Sequence, residues 1–150
     1  MTHCFSSPIG VVRLTEADGS IIRIELTDDA DASAMPTLLQ YVAAEQIMAF
    51  LEGKRQQLDF PIRMVGTPFQ QRVWHALQQI PYGTTRTYGE IATAIGNPRA
   101  SRAVGMACNK NPLLLIVPCH RVVGVNGKLV GFAYGTEAKR WLLELEKSIL

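Results

Sequence analysis

The fold of the second half of the chain depends on residues 87–107, which read TYGEIATAIGNPRASRAVGMA. Thr87 and Glu90 have the spacing of a capping box, in which the two side chains satisfy free backbone amides at the start of a helix. Gly96 is a typical residue for the end of that helix. Three apolar residues are expected to face inward: Ile91, Ala94 and Ile95.

A second short helix is predicted to begin at Asn97 and Pro98. Its inward face is predicted from residues at i, i+3, i+4 and i+7, namely Ala100, Ala103, Val104 and Ala107. Arg99, Arg102 and Met106 then lie on the opposite face. Two short helices joined by a glycine-containing turn, with a basic outer face, form a helix-turn-helix pattern. A plain helical hairpin has the same pattern, so DNA binding remains one of two alternatives here.

Composition and charge narrow the class of protein. The chain has 150 residues, of which 47% are hydrophobic, enough to bury a core without disulfide support. No run of 18 apolar residues occurs, which excludes a membrane-spanning helix. Residues 1–66 contain 5 Lys/Arg and 9 Asp/Glu, whereas residues 67–150 contain 10 and 4. We therefore expect any acidic partner to bind the second half.

The cysteine pattern predicts a reducing compartment. Cys4, Cys108 and Cys119 are an odd number and lack CxxC spacing, which argues against a disulfide framework or a zinc finger. The N-terminus has no basic stretch followed by an apolar one, as a secretory signal would. A cytoplasmic location is the expectation.

The first half is predicted to be a small α/β module. Val11–Leu14 and Ile21–Leu26 flank an Asp-Gly turn at residues 18 and 19, which is typical of a β-hairpin. Apolar residues recur at helical spacing between Leu39 and Leu51, and residues 54–66 are expected to be a linker. The predicted fold class is α+β: an N-terminal α/β module with antiparallel strands (1–62), then a mainly helical, winged-helix or helix-turn-helix-like domain (63–150).

The rest of the second half supplies a framework for those two helices. Thr67 and Gln70 form another capping box that predicts a helix with Pro68 in its first turn. The apolar run at 113–117 is typical of a buried strand. Val122 and Val123 lead to an Asn-Gly pair at 126 and 127, which predicts a hairpin that returns through residues 129 and 130. A last helix follows residue 136.

Cys119 is the candidate nucleophile. It follows the predicted buried strand and precedes His120 and Arg121, which are expected to favour its thiolate. Adjacent residues of a strand point to opposite faces, so a cysteine hydrolase dyad is disfavoured. A histidine base also needs an orienting group. On the last helix Glu146 lies four residues after Leu142, at the edge of the apolar face, whereas Glu144 points away.

Several stretches together carry a family resemblance: IPYGTTRTYGEIA (80–92), GNPRASRAVG (96–105), NP-LLLIV-PCHRV (111–122) and KRWLLELE (139–146). Their order and spacing closely resemble those of the O6-alkylguanine-DNA alkyltransferases, also called methylated-DNA–protein-cysteine methyltransferases. The resemblance implies irreversible, single-turnover transfer of an alkyl group from O6 of guanine, and more weakly from O4 of thymine, onto the protein's own cysteine. Cys119 is the matching residue.

The resemblance also implies roles for other residues. His120 matches the histidine that acts through a water as base, Glu146 the glutamate that orients it, and Asn111 an asparagine that shapes the turn near the site. Tyr88 matches the tyrosine that helps rotate the target nucleotide, and Arg102 the residue that takes its place in the helix. The expected DNA or substrate contacts are Tyr88, Arg99, Arg102, Ala103, Arg121, Phe132, Ala133 and Tyr134.

The implied partner is double-stranded DNA that carries O6-alkylguanine, bound in the minor groove by a monomer largely without regard to sequence; no membrane partner and no cofactor are expected. Some relatives bind zinc in the first module, but only His3 and Cys4 are close in sequence here, so no metal is expected. The family's Gly-Tyr-Ala-Gly-Gly-like loop reads Gly-Phe-Ala-Tyr-Gly at 131–135. We hypothesise that Tyr134 narrows the alkyl pocket.

Two other classes stay open from the residues alone. One is a DNA-binding protein without transfer activity: a helix-turn-helix regulator, which would bind palindromic sequences, or a damage sensor, which would lack the reactive cysteine. The other is a cysteine hydrolase, which would release product from small esters or peptides repeatedly.

Overall fold

The computed structural model describes residues 1–29 and 35–149. The chain divides into two compact units, one formed by Met1–Val65 with Pro112–Leu114 and the other by Gly66–Asn111 with Leu115–Leu150. No helix within the described residues has the length and apolar character needed to cross a membrane.

The first unit contains a three-stranded antiparallel sheet in the order β1-β2-β3. Its strands are β1 (Thr2–Ser7), β2 (Gly10–Ala17) and β3 (Ser20–Thr27). The predicted hairpin is confirmed: Asp18 and Gly19 both have positive φ in the turn between β2 and β3, as a two-residue hairpin turn requires. β1 was not predicted, because THCFSS has little of the apolar alternation that marks a strand.

One helix completes the first unit. α1 (Leu38–Leu51) begins with a reciprocal capping box between Thr37 and Gln40. Four apolar residues of α1 and four of the sheet are buried, which places the core between helix and sheet: Val12, Leu14, Ile21, Ile24, Ala43, Ile47, Phe50 and Leu51. Two parallel bridges, Ile21 with Ile62 and Ile24 with Leu113, extend the sheet at β3.

The second unit is mainly helical, as predicted. Its helices are α2 (Pro68–Gln78), α3 (Tyr88–Ala94), α4 (Ser101–Asn109) and α5 (Thr136–Ile149). The capping boxes predicted at the starts of α2 and α3 are both present. The buried indole of Trp74 on α2 donates a hydrogen bond to the carbonyl oxygen of Ala107 on α4 at 2.9 Å, which fixes these two helices against each other.

The helix-turn-helix pair differs from the prediction at two points. α4 begins at Ser101, not at Asn97, so Arg99 lies in the turn before the helix. Ala94 and Ala103, expected to face inward, are exposed. An alanine gains little from burial, and the larger Val104 and Cys108 determine which face of α4 packs inward.

Two predicted strands of the second half do not form as expected. Residues 113–117 are largely buried, but Leu115 has a φ of 74°, a left-handed conformation that interrupts a strand. The turn at Asn126 and Gly127 forms, with positive φ at both, but residues 128–130, all of which the structure describes, do not form a returning strand. Instead β5 (Val122–Val123) pairs in parallel with β4 (Arg86–Thr87).

Candidate active site

The residues from Cys119 to Arg121 form a 3-10 turn and not the end of a strand. With three residues per turn, successive side chains point about 120° apart. The side chains of three neighbours in sequence therefore point in three different directions. All three residues are buried, and His120 is 0% exposed.

His120 and Glu146 form a buried hydrogen-bonded pair. His120 Nε2 lies 2.6 Å from Glu146 Oε2. Burial raises the pKa of Glu146, but hydrogen bonds from His120 and Arg121 outweigh it and bring the pKa to about 2. Burial lowers the pKa of His120 more than Glu146 raises it. A neutral imidazole thus donates from Nε2 to a carboxylate, and the lone pair of Nδ1 faces the interior.

The Nδ1 atom of His120 is buried and has no hydrogen-bond partner among the described residues. A buried polar atom without a partner is costly and is typical of functional sites. The placement of Glu146 against His120 agrees with the helix angle worked out from the sequence, and Glu144 is exposed. This arrangement provides a histidine that is oriented at one nitrogen and available as a base at the other.

Arg121 binds the same carboxylate. Its Nε donates to Oε1 of Glu146 at 2.9 Å and its Nη2 to Oε2 at 2.9 Å, while Nη1 donates to the carbonyl oxygen of Ile80 at 2.9 Å. The backbone amide of Gly83 donates to Oε1 as well. The guanidinium is buried and each of its three nitrogens donates to one of these oxygens, so it is not available for the DNA contact predicted for Arg121. We assign Arg121 instead to holding Glu146 ionised.

Cys119 is a protonated thiol at rest. Its Sγ–H donates to the carbonyl oxygen of Cys108 at 3.5 Å, and burial raises the pKa of the thiol well above its ordinary value. The expectation that Arg121 would favour the thiolate is wrong, because that guanidinium is directed at Glu146. A thiol of this kind needs a base close by to become a nucleophile.

Asn111 shapes the turn that presents Cys119. Its side-chain amide donates to the carbonyl oxygen of Val117 at 2.8 Å, and the backbone amide of Cys119 donates to the same oxygen at 2.8 Å. A hydrogen bond from Asn111 also lowers the pKa of Cys119, which partly opposes the effect of burial. Asn111 thus contacts both the backbone and the sulfur of this turn.

Tyr88 lies beside the loop at 131–135. Its hydroxyl donates to the carbonyl oxygen of Val130 at 2.6 Å, and burial raises the pKa of this hydroxyl, which keeps it protonated. Gly131 has a φ of 79°, and a Cβ atom there would collide with the Tyr88 hydroxyl. Gly131 is therefore required both by the backbone conformation and by the approach of Tyr88.

The other predicted contacts divide into two groups. Phe132 and Tyr134 are half-buried and pack edge to face with their ring centroids 5.7 Å apart. Ala133 between them is exposed, as are Arg99, Arg102 and Ala103 at the turn before α4 and in its first turn. The structure therefore brings Cys119, His120, Glu146 and Asn111 together and leaves the predicted DNA contacts of α4 on the surface.

The sequence prediction missed Lys139. This residue of α5 is 0% exposed, and its ammonium group donates to the carbonyl oxygen of Val130 at 2.9 Å. The signal that would have found it is its spacing: Lys139, Leu142 and Glu146 are i, i+3 and i+7 on one helix and share a face. Within the part of the chain that the structure describes, no cluster of three or more His, Cys, Asp or Glu side chains could hold a metal ion.

The fold and the site together define a protein with a helix-turn-helix and a buried cysteine that precedes the histidine of a buried histidine–glutamate pair. Comparison with known proteins gives the family. Residues 68–148 match the family model described as 6-O-methylguanine DNA methyltransferase, DNA binding domain, and the chain belongs to this family.

Individual relatives agree with this assignment. A methylated-DNA–protein-cysteine methyltransferase of Methanosarcina acetivorans is 57% identical over 106 residues, which cover 71% of this chain and 68% of the relative. The crystal structure of the Mycobacterium tuberculosis O6-methylguanine methyltransferase has a TM-score of 0.87 at 43% identity and covers 100% of this chain and 95% of that one. That of Mycobacterium tuberculosis OGT in complex with DNA has a TM-score of 0.90 at 43% identity, with 99% and 93% covered.

Proposed function

We propose that this protein repairs DNA by transferring an alkyl group from O6 of guanine, and more slowly from O4 of thymine, to its own Cys119. The observation that carries the proposal is the buried thiol in one 3-10 turn with a histidine that Glu146 orients. Each molecule acts once, because the product is a thioether, and water does not readily hydrolyse a thioether to regenerate the thiol.

The chemical step is a displacement at the alkyl carbon. The thiol proton of Cys119 moves through a water to Nδ1 of His120, and the electron pair of sulfur attacks the alkyl carbon. The S–C bond forms as the O6–C bond breaks, and the guanine leaves with the electron pair of that bond. The Glu146 carboxylate stabilises the imidazolium that forms, because it already accepts a hydrogen bond from Nε2.

Access to O6 requires that the nucleotide leave the base stack, as in other base-flipping proteins. We assign Arg102 to filling the space it leaves, which the exposed position of this residue on α4 supports. The exposed Ala103 beside it is small and permits close approach to the minor groove. Arg99 is a phosphate contact, and Tyr88, whose hydroxyl donates to the carbonyl oxygen of Val130, supports the rotated nucleotide.

The loop at 131–135 forms the wall of the alkyl pocket in this proposal. Phe132 and Tyr134 pack against each other, and Tyr134 narrows the pocket so that methyl groups fit better than benzyl groups. Ala133 contacts the base.

Residues 63–150 form the DNA-binding and alkyl-acceptor domain and residues 1–62 the N-terminal module. The protein acts as a monomer in the cytoplasm, where its free thiols stay reduced, and reads damage and shape instead of sequence.

Mass spectrometry tests the proposal directly. The protein is incubated with a duplex that contains O6-methylguanine, and intact mass and peptide masses are measured. We expect one methyl group per molecule, on the peptide that contains Cys119. Cys119→Ser should gain none, whereas Cys4→Ser, which removes a free cysteine of the first unit, should react like the wild type. Binding to DNA without methylation would identify a sensor or regulator instead.

A further inference from the structure

A turn at residues 80–83 joins α2 to β4 and contacts both members of the buried ion pair next to the active site. The carbonyl oxygen of Ile80 accepts a hydrogen bond from Arg121 Nη1 at 2.9 Å, and the backbone amide of Gly83 donates to Glu146 Oε1 at 2.9 Å. On the side of the turn both contacts are made by backbone atoms. Their positions therefore depend on the conformation of the turn and not on a side-chain rotamer.

The conformation of this turn is fixed at both ends. The amide of Ile80 donates to the carbonyl oxygen of Leu77 in α2 at 3.0 Å, and that of Thr84 donates to the carbonyl oxygen of Pro81 at 3.1 Å. Gly83 has a φ of 77°, which glycine adopts without the steric cost of a Cβ atom. Shortly after the turn, β4 pairs with β5, the strand that directly follows the 3-10 turn. The 80–83 turn is thus a fixed backbone support for the ion pair.

Tyr82 adds a side-chain contact from the same turn. Arg121 Cζ lies over the Tyr82 ring, 5.5 Å from its centre, within the range of a cation–π contact. The hydrogen bonds from Arg121 to Glu146 and to the carbonyl oxygen of Ile80 lie near the plane of the guanidinium. An aromatic ring interacts with the guanidinium by a different force, so it supplies a constraint that these hydrogen bonds do not.

The position of the Glu146 carboxylate determines which nitrogen of His120 carries the proton. Glu146 Oε2 lies 2.6 Å from Nε2, and the hydrogen bond made by one ring nitrogen sets the state of the other. If the carboxylate were held less firmly, the proton could move to Nδ1. The nitrogen that accepts the thiol proton in the proposed chemistry would then no longer have a free lone pair.

We propose that Tyr82 and Gly83 are positioning residues for the alkyl transfer: through Arg121 and Glu146 they keep the proton of His120 on Nε2. This inference rests on the proposed function, which assigns Nδ1 of His120 to accept the thiol proton. Neither Tyr82 nor Gly83 touches the DNA in this proposal. Their replacement should therefore lower the rate of methyl transfer at saturating DNA and leave DNA affinity nearly unchanged.

The first test compares the rates of methyl transfer of Tyr82→Leu and Tyr82→Phe. At saturating methylated duplex, Tyr82→Leu should be about fivefold slower than the wild type, with DNA affinity changed less than about twofold. Tyr82→Phe should stay within about twofold, because phenylalanine presents the same ring face to a cation. Phe69→Leu is the matched control: Arg72 Cζ lies 5.7 Å from the Phe69 ring, in a pair of the same kind on α2. A wild-type rate in Tyr82→Leu, or an equal loss in Tyr82→Phe, would overturn the proposal.

The second test observes the His120 ring directly and needs no DNA. Nitrogen NMR of protein labelled with ¹⁵N-histidine distinguishes a protonated ring nitrogen from an unprotonated one. The chain has three histidines, so His3→Gln and His75→Gln assign the signals of the third. The wild type and Tyr82→Phe should show His120 protonated at Nε2 alone, whereas Tyr82→Leu should also show the form protonated at Nδ1. An unchanged spectrum of folded Tyr82→Leu would refute the role assigned to the ring.

Gly83→Ala tests the backbone contact separately and takes the place of Tyr82→Leu if that variant does not fold. An alanine at this positive φ strains the turn and displaces the amide that donates to Glu146. The form of His120 protonated at Nδ1 should appear and methyl transfer should slow. Gly19→Ala is the matched control, because Gly19 has a φ of 78° in the hairpin of the first unit and a Cβ atom there meets nothing within 4 Å. Its His120 signals should be those of the wild type, and an identical result for Gly83→Ala would contradict the proposal.

The two measurements separate this inference from the proposed function. If the wild type takes no methyl group from DNA, the proposed function fails, whereas the NMR signals of His120 still show whether the 80–83 turn positions the histidine. If the wild type is methylated at Cys119 and the His120 signals are unchanged in the Tyr82 and Gly83 variants, the proposed function stands and this inference fails.

Discussion

Replacement of Glu146 by glutamine should destabilise the second unit by about 3 kcal/mol at pH 7. The pKa of Glu146 is about 2 in the folded protein against an ordinary 4.5, and at about 1.4 kcal/mol per pH unit this difference gives about 3 kcal/mol. An independent argument gives a similar size: removing one partner of a buried ion pair leaves a buried charge and costs about 3–5 kcal/mol. Here that charge is Arg121, which the structure holds at 7% exposure.

The pH dependence has a definite sign. A carboxyl whose folded pKa is depressed stabilises the protein above its unfolded pKa, and the stabilisation is lost as pH falls toward the folded pKa. The difference in unfolding free energy between wild type and Glu146→Gln should therefore be complete above pH 5, start to fall near pH 4.5, and reach about 1 kcal/mol at pH 3.

Urea denaturation followed by tryptophan fluorescence measures this difference. Trp74 and Trp141, the two tryptophans of the chain, both belong to the second unit, so the signal reports on the unit that contains Glu146. Glu144→Gln is the matched control, because Glu144 is exposed on the same helix and should change stability by less than about 0.5 kcal/mol. A loss below about 1 kcal/mol at pH 7, or a difference that does not vary between pH 7 and pH 3, would refute the reasoning.

Three further variants probe the remaining parts of the site. Tyr134→Gly should raise the rate of reaction with O6-benzylguanine about tenfold or more and leave the reaction with methylated DNA nearly unchanged; equal benzylguanine rates in variant and wild type would count against a narrowed pocket. Arg102→Ala should slow methyl transfer from duplex DNA by about 1–3 kcal/mol in the barrier, because the extruded nucleotide loses its replacement in the stack; a parallel assay on single-stranded substrate should show little change. The hydrogen bond from Asn111 lowers the pKa of the Cys119 thiol, so Asn111→Ala should raise the pH at which iodoacetamide modifies Cys119 at half of its maximal rate. A pH midpoint that is unchanged or lower would exclude this role.

Local signals in the sequence predicted the helices well. The Thr67–Gln70 and Thr87–Glu90 pairs are capping boxes in the structure, since a cap depends on residues only three apart. Strand pairing depends on distant residues, and there the sequence was a weaker guide. Val122 and Val123 were expected to pair with residues just beyond the turn, but they pair with Arg86 and Thr87.

In the candidate site, too, features that depend on nearby residues could be predicted and features that depend on distant residues could not. Glu146 could be chosen over Glu144 because the angle between helix positions is a local property. The ionisation of Cys119 could not be predicted, since it depends on where the Arg121 guanidinium points and on burial by residues remote in sequence. Lys139 was missed because lysine in an amphipathic helix is normally exposed, and only the position of the Val130 carbonyl explains its burial.

The 3-10 turn at residues 119–121 also limits how this stretch can evolve. Cys119 reaches the carbonyl oxygen of Cys108 on α4, His120 reaches the carboxylate of Glu146 on α5, and Arg121 reaches the same carboxylate and the carbonyl oxygen of Ile80. Insertion or deletion of a single residue would rotate every following side chain by about 120° and separate all of these partners at once. Substitutions around the turn can accumulate one at a time, whereas a change in the length of the turn disrupts all of these contacts in a single step.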